Sequence, residues 1–161
     1  MEIRLEEHTV AEIFNGYEDN DESGVVGFGG KLNIRPAFQR EFVYKERERN
    51  AVIDTVFKGF PLNVMYWVED EQGGYELLDG QQRTISICQY CNGDFSMLID
   101  GKPRTFGNLT PYEQQQFLSY KLMIYVCKCI YRSNCHSCTD ILPTLAADCP
   151  AKYDILDMAR Q

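Results

Sequence analysis

The chain lacks any long apolar run. No segment reaches the roughly 18 to 20 uncharged apolar residues that a membrane span requires. The opening Met1-Glu2-Ile3-Arg4-Leu5-Glu6-Glu7 also lacks the apolar core of a secretion signal. No membrane partner is expected, and a soluble cytoplasmic protein is. Internal repeats and low-complexity tracts are missing, and 161 residues leave little room for two full domains. An excess of base is missing as well. The formal net charge of -8 excludes the strongly basic footprint of a stand-alone DNA binder.

The acidity is uneven. Residues 1 to 30 hold eight Asp or Glu against Arg4 alone, so the remainder is nearly neutral. Lys31, Arg35, Arg40, Lys45, Arg47, Arg49 and Lys58 make a stripe of seven bases among four acids, either a polyanion-facing surface or an ordinary solvated helix face. Seven cysteines include the pairs Cys88-x-x-Cys91 and Cys135-x-x-Cys138. Zinc accepts four thiolates, but Cys88 and Cys91 fall on an expected helix rather than a knuckle, and Cys127 and Cys129 alternate along an apolar strand. A structural zinc site is therefore disfavoured. The odd cysteine count favours reduced thiols over a disulfide framework.

With 44% hydrophobic residues the chain can furnish one real core. Thr9 to Phe14 reads as a short capped helix and Glu18 to Gly24 as a mobile acidic loop. Gly27-Phe28-Gly29-Gly30-Lys31-Leu32 superficially suggests a phosphate loop, but Val25 and Leu32 break the Walker pattern. Leu32 to Pro36 reads as extended, and Phe38 to Val43 crowds polar residues among aromatics. Lys45 to Lys58 carries Val52, Ile53, Val56 and Phe57 on one helical face, with Gly59 and Pro61 as stop signals. Residues 64–69 and 75–78 suit an antiparallel hairpin, and Asp100-Gly101 turns a second hairpin within 95–106. Thr110-Pro111-Tyr112-Glu113 reads as a capping box, residues 120–131 as a buried strand, and residues 153–158 as a short helix. Trp67, Tyr66 and Phe42 read as core aromatics rather than base-stacking platforms.

Asp79-Gly80-Gln81-Gln82-Arg83 places a carboxylate, two amides and a guanidinium where the second strand of the first hairpin meets a helix of roughly residues 82–90. The first backbone amides of a helix lack intrahelical partners and lie at its positive end, so such a junction attracts anions, phosphate foremost.

The order Pro36-x-Phe38-Gln39-Arg40, helix, Gly59-Phe60-Pro61, then Asp79-Gly80-Gln81-Gln82-Arg83-Thr84 resembles one family. It is the DGQQR-motif amino-terminal domain of GmrSD-type, modification-dependent restriction proteins, domain-of-unknown-function family two-six-two. That resemblance covers roughly residues 1 to 128. It implies an α+β fold similar to the ParB and sulfiredoxin group: a small mixed or mostly antiparallel sheet with packed helices. Residues 129–161 read as a carboxy-terminal extension, either a natural short form or a truncated or altered end.

The resemblance further implies a nucleotide-binding, NTP-hydrolysing module that regulates restriction of modified foreign DNA in phage defence. His8 and His136 cannot build an HNH-type centre, so cleavage is expected from a separate nuclease subunit or domain. A nucleoside triphosphate needs fixed donors, commonly magnesium, and a positioned water. Arg83 offers a planar fork for phosphate, and Gly80 permits close backbone approach. Gln81 or Gln82 would orient the water, and Asp79 would hold magnesium or polarise that water. By the same resemblance Arg35, Gln39, Arg40 and Thr84 join the nucleotide-binding set. Plainer readings stand beside these: Asp79 as a helix cap, Gly80 as a turn residue, Arg83 paired with a surface carboxylate, or a non-catalytic module that binds DNA or a partner.

Overall fold

Alternation and capping explain most elements of the computed structural model, which describes residues 2–20, 24–35 and 44–128. In chain order these are β1 (Glu2–Thr9), α1 (Val10–Phe14), β2 (Glu18–Asn20), β3 (Gly24–Gly27), β4 (Leu32–Arg35), α2 (Glu46–Phe57), β5 (Met65–Glu69), β6 (Tyr75–Asp79), α3 (Gln81–Asn92), β7 (Met97–Ile99), β8 (Lys102–Arg104), a 3-10 turn at Phe106–Asn108, α4 (Pro111–Leu118) and β9 (Lys121–Lys128). All the described residues belong to one compact unit, Met1–Cys129. Gln39, Arg40, Phe42, Cys135, Cys138 and the expected helix at 153–158 lie outside the described residues.

Capping boxes set two helix starts. The Thr9 hydroxyl accepts from the Glu12 N–H while the Glu12 carboxylate takes the Thr9 N–H, and Thr110 and Glu113 repeat this at α4 behind Pro111. At the start of α2, Glu48 accepts the Lys45 N–H at 3.0 Å. The β5–β6 turn is tied by Asp70, whose Oδ1 accepts from the N–H groups of Gln72 and Gly74, each at 2.8 Å. Asp100 and Gly101, both at positive φ, turn β7 into β8 as expected.

Seven strands form a mixed sheet in the order β1-β9-β5-β6-β4-β3-β2; β7 and β8 pair separately. The β4–β6 and β5–β9 pairs are parallel and the others antiparallel. The fold is thus the expected mixed α+β class. Trp67 stands opposite both Val126 and Leu77, and Met65 opposite Ile124, so these side chains share one sheet face. They join Ile13, Ile53, Val56, Ile87, Tyr90 and Phe117 from the helices in a single core. Trp67 is fully buried, as the core reading required.

Two strands depart from the sequence reading. Glu18 to Asn20, read as loop, pairs with β3 as a short edge strand, and Glu2 to Thr9 is a full-length strand along β9. Among the described residues no helix is long and apolar enough to cross a membrane.

Candidate functional site

The junction of β6 and α3 is built on the floor of the core. Gly80 takes φ +99° and caps α3 in the left-handed region. A Cβ placed on it would stand 2.6 Å from Cγ of Met65, which is completely buried on β5. Only glycine satisfies both conditions. The turn is locked behind this contact. The Thr84 hydroxyl donates to the Gly80 carbonyl at 3.0 Å and touches the Met65 sulfur at 3.3 Å. Thr84 is therefore sealed inside, turned away from any ligand on the outer side of the junction.

Each remaining motif side chain ties α3 to a different neighbour. Gln81 Nε2 donates to the Ile34 carbonyl of β4 at 3.1 Å. Gln82 Oε1 accepts the Tyr44 N–H, just before α2, at 3.2 Å. The Arg83 guanidinium donates to the carbonyls of Asn63 and Val64 and, at 3.2 Å, to Oδ2 of Asp79. Arg83 is mostly covered, with 14% of its side chain exposed, whereas Asp79 is 56% exposed. The expected pairing of Arg83 with a carboxylate is thus present, and its partner is the motif's own first residue.

A cleft of about 300 Å³ opens here, lined by Tyr44, Leu78 and the five residues from Asp79 to Arg83. No side chain caps the N-terminus of α3, and its first turn carries no acid. Among the described residues, the positive end of this helix of 12 residues therefore meets the cleft without a side-chain cap. Burial pushes the Tyr44 phenol up, while the nearby Arg83 charge opposes that shift. Tyr44 and Leu78 were missed in the sequence; the only hint was that Tyr44 closes the aromatic-rich stretch from Phe38.

One described candidate lies apart. Arg35, on β4, pairs with Asp19 at 3.6 Å and does not line the cleft. Within the basic stripe, the Arg49 guanidinium sits 3.7 Å over the Phe95 ring and Lys58 pairs with Asp54 at 2.6 Å. Cys88 and Cys91 are buried in α3, where desolvation pushes the Cys91 thiol up to about 12 and raises Cys88 as well. Such thiols behave as small core hydrophobes. Among the described residues no group of three or more His, Cys, Asp or Glu converges as a metal cage.

The family model described as GmrSD restriction endonuclease, N-terminal domain, matches residues 10–140. No curated protein and no solved structure matches the chain.

Proposed function

Since the chain belongs to the family of N-terminal domains of GmrSD restriction endonucleases, we propose that it binds and hydrolyses a nucleoside triphosphate, and thereby regulates a nuclease directed at modified foreign DNA. The observation that carries this reading is the uncapped start of α3 facing the cleft beside an exposed carboxylate. Phosphate oxygens accept from backbone N–H groups of a first helical turn.

Asp79 is a negative charge beside that anion, so the pair needs a counter-ion. One carboxylate with phosphate oxygens and water is a common donor set for magnesium, which seldom occupies an all-protein cage. Magnesium would supply charge neutralisation at the phosphates. Asp79 would hold the cation, and Arg83, which now pairs with that carboxylate, would donate to a phosphate oxygen. Gln81 or Gln82 orients the water that attacks the terminal phosphorus; the bond to the bridging oxygen breaks, leaving a nucleoside diphosphate and inorganic phosphate. Gln39 and Arg40 are assigned to the same ligand by the family resemblance alone.

A non-catalytic module is the second reading. It is favoured by one observation, the bonds that already occupy Arg83. Thermal unfolding with ATP, GTP, CTP or UTP, each with and without magnesium, tests the binding, and phosphate release tests the turnover that a non-catalytic module would lack. The nucleotide reading expects about 2.7 kcal/mol of stabilisation at a hundredfold excess over the dissociation constant, requiring magnesium and lost in Asp79→Asn. Melting unchanged by all four nucleotides would overturn it.

A further inference from the structure

The two edges of the large sheet are unlike. At one end, β2 is three residues long and presents Glu18, Asp19 and Asn20, all exposed. Short, acidic edges of this kind resist pairing with another chain. At the other end, β1 runs eight residues with neither proline nor glycine, and its register against β9 is unbroken. Ile3 and Leu5 are 46% and 50% exposed on it. Among the described residues its outer edge has no strand beside it.

The direction of the unused backbone groups follows from one bond. The Val10 N–H donates to the Tyr120 carbonyl at 2.9 Å, continuing the β1–β9 register. Even-numbered positions therefore face β9, and Ile3, Leu5 and Glu7 turn their N–H and C=O groups to the open side. A second copy related by a two-fold axis can use those groups only if odd positions face odd ones. The axis then passes beside a residue and never between two.

Charge chooses among the possible centres. An axis at Arg4 opposes two guanidiniums, and one at Glu6 or Glu7 opposes two carboxylates. An axis at Ile3 shortens the overlap and leaves most of the strand unpaired. Centred on Leu5, the pairing sets Leu5 against Leu5, Arg4 against Glu6, Ile3 against Glu7, and Glu2 against His8 of the other copy. Leu5 is the one centre that engages the strand from Glu2 to His8 without setting like charges opposite each other. Arg4 and Glu6 already lie 2.5 Å apart within one strand. Two copies bring together a four-charge cluster of alternating sign. We propose that β1 is a homodimerisation edge, in which two copies join antiparallel about Leu5 into one continuous sheet.

The test is a charge exchange in trans on the full chain, read as molar mass by sedimentation equilibrium. Wild type is expected as a dimer. Arg4→Glu alone sets carboxylates face to face and Glu6→Arg alone guanidiniums, so each is expected to weaken self-association by on the order of ten-fold or more. Mixed in equal amounts, the two carboxylates of one variant face the two guanidiniums of the other, and a heterodimer should return. Because misfolding of either variant would not be cured by mixing, recovery supports the register directly. A monomeric wild type overturns the proposal, as does a dimer insensitive to either substitution or a mixture that stays monomeric.

Discussion

Gly80 answers two demands at a single atom: a left-handed backbone and a side chain-free surface against Met65. Gly80→Ala imposes strain of about 1–3 kcal/mol at that φ, with displacement of Met65 in addition, and a lower urea midpoint at unchanged slope is the expected result. The turn was legible because its chemistry is local. An Asp-Gly pair before an amphipathic run announces a strand-to-helix junction in any context. The partners of Gln81 and Gln82 were not legible, since Ile34 and Tyr44 reach them only through the tertiary fold. Thr84 illustrates the same limit: the family resemblance suggested a ligand contact, but helix periodicity turns it inward onto Met65.

At the scale of elements, α4 depends on one carboxylate. Hydrogen bonds from Arg104 at 3.1 and 2.9 Å, then the Thr110 N–H and hydroxyl, hold the Glu113 carboxyl down at about 2 against an ordinary 4.5. Folded protein binds this proton more weakly than the unfolded chain does. The stabilisation is therefore complete above pH 4.5 and is lost as pH falls toward 2. Glu113→Gln should be less stable than wild type at neutral pH, and thermal melts across that window should show the difference closing. Helices were easier to read than edge strands here. Capping boxes are sequence-local, as at Thr9 and Thr110, while β2 exposes all three residues and so shows no alternation between core and solvent. In β1 the alternation exists, but Ile3 and Leu5 occupy the exposed face, inverting the usual signal.

At the scale of the whole described unit, three helices and the 3-10 turn converge on Phe117. Its ring lies 5.1 Å from Phe57, 5.4 Å from Tyr90 and 5.8 Å from Phe106, joining α2, α3, α4 and the 3-10 turn. Phe117→Ala should cost about 3–5 kcal/mol, measured by chemical denaturation, through the loss of this shared contact. That reach across elements explains why class and core were readable while strand order was not. Apolar periodicity identifies what is buried, but no local pattern says that β9 lies between β1 and β5.

That arrangement sets Glu2 directly opposite Lys128, so the two ends of the sheet-forming chain emerge at one corner. Tension applied between them opens the β1–β9 ladder one rung at a time instead of shearing all its bonds together. The domain is consequently a soft mechanical element when tugged from that corner, yielding first at β1.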